Sequence, residues 1–75
     1  MSRVAAIGEE RVLEGYALAG VEVLPASDPA SARQAWLSLP DDVALVLLTR
    51  TALEALGPEL AESSTPERVW AEVPG

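Results

Sequence analysis

The chain has 75 residues, 49% of them apolar, with 12 acidic side chains against five basic ones, and a net charge of −7. That length allows one small domain with a single modest core, and the acidity argues against nucleic acid and anionic membrane surfaces as partners. Cysteine and histidine are both absent, which excludes disulfides and thiol chemistry and removes the commonest general base and metal ligand.

Val43–Leu48, the longest unbroken apolar run, falls far short of the roughly 20 residues that span a bilayer. Met1-Ser2-Arg3 leads straight into a strand-like run without signal-peptide character. The expectation is a cytoplasmic protein with no direct membrane insertion.

Arg3–Ile7 reads as a buried strand and Glu9–Ala19 as a helix. Gly20 suits the position beyond that helix's C-cap, where glycine takes a left-handed conformation at little cost. Val21–Leu24 is a second short strand. Ser27-Asp28-Pro29 then signals a helix start, because Asp28 or Ser27 caps and Pro29 fits the first helical position. Ala32, Ala35, Trp36 and Leu39 recur along one helical face, and Pro40-Asp41-Asp42 ends the element. Val43–Leu48 lacks polar alternation, as a central parallel strand covered on both faces does. Thr51-Ala52-Leu53-Glu54 matches a capping box, with Leu53, Leu56 and Leu60 as the inner face of the helix that follows. Gly57-Pro58 is expected to kink or restart that helix. Ser63-Ser64-Thr65-Pro66 reads as a loop, Val69–Val73 as a last strand, and Pro74-Gly75 as the end.

The order βαβαβαβ, with right-handed crossovers, implies a small doubly wound four-stranded parallel sheet with helices on both faces. In the usual doubly wound order the first strand lies between the second and the third. The whole of 1–75 is expected to form one α/β domain.

The stretch Gly8–Gly20, GEERVLEGYALAG, sits where many α/β proteins hold a phosphate. A dinucleotide loop needs three glycines in the pattern G-x-G-x-x-G, and here Gly8 stands alone. Glu9 and Glu10 occupy the turn, where their charges repel an anion but suit a helix N-terminus. A phosphoacceptor site of the response-regulator type fares no better, because the third strand ends in Leu48-Thr49-Arg50 without an aspartate. Ser63, Ser64 and Thr65 have no histidine or lysine to activate them. Glu9/Glu10 and Asp41/Asp42 fall at opposite ends of the strands, too far apart for paired acid–base work. No catalytic, cofactor or metal site is expected.

Gly15 lies inside the first helix, where glycine costs about 1 kcal/mol relative to alanine; close packing, onto the sheet or another chain, is the expected reason. Tyr16, Trp36 and Trp70 are expected in the core, although an indole is also a good interface anchor.

Val4-Ala5-Ala6-Ile7-Gly8 followed by Gly15-Tyr16-Ala17-Leu18-Ala19-Gly20-Val21 resembles, in order and spacing, the F subunit of the A-type/V-type ATPase family. Ser27–Ala32, Val43–Thr49 and Val69–Gly75 are similar to later segments of the same family, so the resemblance spans essentially the whole chain. Many relatives carry an aspartate and a threonine near the first turn, where Glu9, Glu10 and Arg11 stand here. Relatives also continue into a C-terminal helix, for which these residues offer no counterpart.

The resemblance implies a non-catalytic central-stalk component of a rotary proton- or sodium-translocating ATPase. It would bind the coiled-coil stalk component (the D subunit), with Gly15, Ala17, Ala19 and Gly20 allowing close approach. Doubly wound folds recognise partners at the carboxyl ends of their strands. The expected interface residues are therefore Gly8, Glu9, Glu10, Ser27, Thr49 and Arg50, with Pro25 and Ala26 beside them. Arg50 could pair with a partner carboxylate or, within the chain, with Glu9 or Glu54. The alternative is a free-standing receiver-like regulatory or small-ligand-binding module without a phosphoacceptor aspartate, and a third option is a homodimer whose sole role is assembly.

Overall fold

The computed structural model describes residues 3–62 and 69–73. Seven elements alternate along it: β1 Arg3–Gly8, α1 Glu10–Leu18, β2 Glu22–Pro25, α2 Pro29–Leu37, β3 Val43–Leu48, α3 Arg50–Glu62 and β4 Val69–Glu72. The strands form one parallel sheet in the order β2-β1-β3-β4, as the doubly wound pattern requires. The expected Ser63–Pro66 loop and the Pro74-Gly75 end lie outside the described residues.

Each helix starts and stops for a local reason. After α1, Gly20 takes φ +90°. Its N–H donates to Ala17 O and that of Val21 to Tyr16 O, at 3.1 and 3.2 Å, the two bonds of a Schellman motif. At α2, Asp28 caps as expected: the Ser31 N–H donates to Asp28 Oδ1 at 2.7 Å, and the Asp28 N–H reaches Ser31 Oγ at 3.3 Å. Pro29 follows at the first helical position, where no N–H is needed.

Helix α3 departs from expectation at its start, and of the two outcomes expected at Gly57-Pro58 it excludes the restart. It begins at Arg50, so the cap is Thr49 and not Thr51: the Ala52 N–H donates to Thr49 Oγ1 at 3.3 Å. It also runs through Gly57-Pro58 to Glu62 without restarting. Pro58 lacks the N–H that would bond the Glu54 carbonyl, but Glu54, Gly57 and Pro58 are all exposed, so that side of the helix is open to solvent. Leu56 and Leu60, buried on the opposite side, hold successive turns against the sheet.

The register sorts the side chains onto two faces. Ala5, Ile7, Val46 and Leu48 meet Ala32, Ala35 and Trp36 of α2 and Ala52, Leu56 and Leu60 of α3 in the larger core. Each fully buried leucine or isoleucine there contributes roughly 1.5–3 kcal/mol of burial. The other face is smaller: Ala6, Leu13 and Val73 form its centre, with Val12, Tyr16, Val23 and Leu47 packed against them. One helix, α1, serves that face.

Two packing expectations need correcting. Trp36 is core, but Trp70 is 41% exposed, because β4 is an edge strand whose four residues all face solvent. Gly15 does not bring α1 close to the sheet, since a Cβ built there meets nothing within 4 Å. Ala17, Ala19 and Gly20 are likewise exposed.

Candidate functional site

The carboxyl ends of β1 and β3, between which a doubly wound sheet usually opens to a ligand, are plugged by the chain's own side chains. Gly8 ends β1 at φ +150°, and a Cβ there would run into the Thr49 side chain, whose own Cβ would lie 2.7 Å away. Only glycine allows Thr49 to sit so close. The Gly8 carbonyl accepts from the Ala26 N–H at 2.8 Å, and the Thr49 N–H donates to Ile7 O at 3.2 Å.

Thr49 is 3% exposed and its hydroxyl is used in both directions. It accepts from Ala52 N–H to cap α3 and donates to Glu9 Oε1 at 3.1 Å. Glu9, half-buried at the N-cap of α1 with extended backbone and no cap bond of its own, is thus tied to the start of α3. The Thr49–Glu9 bond latches two helix starts across the strand ends.

The six rim residues expected at an interface therefore divide. Gly8 and Thr49 pack against each other, and Glu9 is engaged by Thr49. Glu10, Ser27 and Arg50 are exposed. Arg50 pairs with neither Glu9 nor Glu54: its Nε lies 3.5 Å from Glu72 Oε2. Leu48 and Glu72 are register partners on β3 and β4, which puts Glu72 beside the first residue of α3. A reading of the sequence by helical spacing has no access to that cross-strand neighbour.

Beside the plug, an open crevice of about 460 Å³ runs between the starts of α1 and α2, lined by Glu9, Glu10, Ala26, Ser27 and Asp28 among others. Two of its three carboxylates are engaged, Glu9 by Thr49 and Asp28 by Ser31, and Glu10 is exposed. The bonds from the Ser31 backbone and side chain hold the Asp28 carboxyl below its usual range. Among the described residues, no group of three or more acidic side chains could hold a metal ion, and no helix is long and apolar enough to cross a membrane.

At the opposite end of the sheet Arg3 bridges two carboxylates, with Nε 2.8 Å from Asp42 Oδ2 and Nη1 3.4 Å from Glu22 Oε1. The hydrogen bond from Arg3 lowers the Asp42 carboxyl below its ordinary value. All three side chains are about half exposed, so the cluster is a tie between strand starts of small energetic weight.

Comparison with known proteins agrees with this architecture. No curated protein sequence matches the chain. The crystal structure of the F subunit of the V-type ATP synthase from Archaeoglobus fulgidus is similar to it, with a TM-score of 0.72 and 21% identity over 97% of this chain and 98% of that one. Residues 4–75 match the family model of the ATP synthase (F/14-kDa) subunit. The chain belongs to that family.

Proposed function

We propose that the protein is a non-catalytic central-stalk component of a rotary, ion-translocating V/A-type ATPase, and that it binds the coiled-coil stalk component, the D subunit, at the cytoplasmic side of the membrane. The observation that carries this reading is the family match over residues 4–75 on a fold whose strand ends are closed by the Thr49–Glu9 latch. Of the rim, Glu10, Ser27 and Arg50 are the exposed side chains, and Arg50 is held by Glu72.

Co-expression with the coiled-coil stalk component of the same organism, followed by size-exclusion chromatography with light scattering, tests the proposal. A stable one-to-one complex is expected. Two separate peaks at tens of micromolar would overturn it.

A further inference from the structure

Strand β2 is an edge strand, and α1 overhangs it. Between them runs a groove of about 300 Å³ lined by Glu10, Leu13, Glu14, Ala17, Val23 and Pro25. Its floor is apolar: Leu13 is fully buried and Val23 half-buried, while Ala17 keeps one wall low. Its rim is acidic, because Glu10 and Glu14 stand one helical turn apart on the same flank of α1.

Like charges at that spacing disfavour the helix by a few tenths of a kcal/mol. Among the described residues neither carboxylate has a hydrogen bond or ion pair. Arg11, beside Glu10 and one turn before Glu14, lines the strand-end crevice and not this groove, and makes no ion pair with either among the described residues. Arg3 and Arg50 are engaged elsewhere by Asp42, Glu22 and Glu72.

We infer that this groove seats one helix of the coiled-coil partner, through two basic side chains one turn apart on that helix; this rests on the assembly role proposed above. Carboxylates four residues apart on α1 are separated by about 6 Å along its axis, the spacing of cations three or four residues apart on an opposing helix. Long basic side chains lay their methylene stems on an apolar floor while the charged head reaches the rim. Ala17 and Val23, with Leu13 packed beneath them and carboxylates above, suit such stems. A second copy of this chain is a poor occupant, since it brings the same net charge of −7.

The test titrates the full chain against the coiled-coil stalk component by calorimetry at low salt, comparing wild type with Glu14→Lys, Ala17→Arg and Asp41→Lys. Asp41 is exposed ahead of β3, so its reversal changes net charge as much as Glu14→Lys does without touching the groove. Glu14→Lys and Ala17→Arg, which fills the groove, are each expected to weaken binding about tenfold or more, and Asp41→Lys by no more than about threefold. Circular dichroism identical to wild type confirms that each exposed substitution leaves the fold intact. Wild-type binding with equal effects of Glu14→Lys and Asp41→Lys, or with no effect of either groove variant, overturns the groove and leaves the assembly role standing. Absence of wild-type binding overturns both. Self-association of the chain alone that Ala17→Arg abolishes makes a second copy the occupant and also overturns the proposal.

Discussion

The stretch from Gly8 to Gly20 crosses two regions of opposite character. At its start, Gly8 and Glu9 belong to a closed rim, where the Thr49 hydroxyl both donates and accepts and a single added methyl has no room. A turn later, Glu10, Glu14, Gly15 and Leu18 form an outer flank whose carboxylates lack partners among the described residues, and whose Leu18 is 92% exposed. Both regions carry glycine, and the glycines do different things. Gly8 is required by the fold. Gly15 meets nothing that requires it among the described residues, and the flank it lies on is the surface proposed above for a partner helix.

The sharpest way to break this contrast is to add a methyl at each glycine. Gly8→Ala must displace Thr49 and also hold a left-handed backbone, so a loss of about 3 kcal/mol or more is expected in urea unfolding. A loss below about 1 kcal/mol, the size of an ordinary substitution, would mean that the rim is looser than the geometry shows. Thr49→Ala removes the α3 cap and the Glu9 tie together, and is expected to cost about 1–2 kcal/mol. Thr51→Ala, by contrast, should be nearly neutral, which separates the two threonines.

Gly15→Ala runs the other way. With open space around it, alanine should stabilise the free chain by about 0.5–1 kcal/mol through helix propensity and reduced unfolded-state entropy. Destabilisation there would show that Gly15 is packed after all.

The smallest expected effect is a dependence on acid. Asp28 and Asp42 are both held below the ordinary carboxyl value of 3.8, by Ser31 and by Arg3 respectively. A folded-state pKa below the unfolded one contributes stability that is present above the unfolded value and lost as pH falls through the folded one. The urea midpoint should therefore hold level from about pH 7 to pH 5 and fall below about pH 4. Asp28→Asn, which keeps a competent cap, should make the fall shallower. An unchanged slope would show that Asp28 has no part in it.

Much of the fold was legible in the sequence where one local cause decides the outcome. Gly20 had to leave α1 in a left-handed turn, Asp28-Pro29 had to open α2, and Val43–Leu48 had to lie deep in a parallel sheet. The strand order followed from handedness. What escaped was set by neighbours distant in the chain. Local pattern favours Thr51, with Glu54 three residues on, whereas Thr49 is the cap and packs into the gap left by Gly8 on a different strand. At Gly57-Pro58 local propensity makes a restart one expected outcome, but the inner face of Leu56 and Leu60 outweighs it, spanning the proline and holding both turns on the sheet. Trp70 looked like core because a large apolar side chain in a strand does not reveal by itself that the strand lies at the sheet's edge.

The candidate site was less legible still. The rim residues were found because strand ends are predictable from topology, but their division into buried and exposed members was not, since it rests on one side-chain hydrogen bond across the sheet. The Glu10/Glu14 flank does carry a sequence signal, two carboxylates at i and i+4, although Arg11, three residues before Glu14, masks it until the structure shows no ion pair between them among the described residues.

Hydrogen exchange of the full chain with and without the proposed coiled-coil stalk partner tests the contrast between rim and flank most directly. Slowed exchange confined to peptides covering α1 and β2, with β3 and the start of α3 unchanged, is the result expected if the rim is structural and the flank binds. Slowing centred on residues 48–54, with α1 unaffected, would contradict it and return the strand ends to the role of interface.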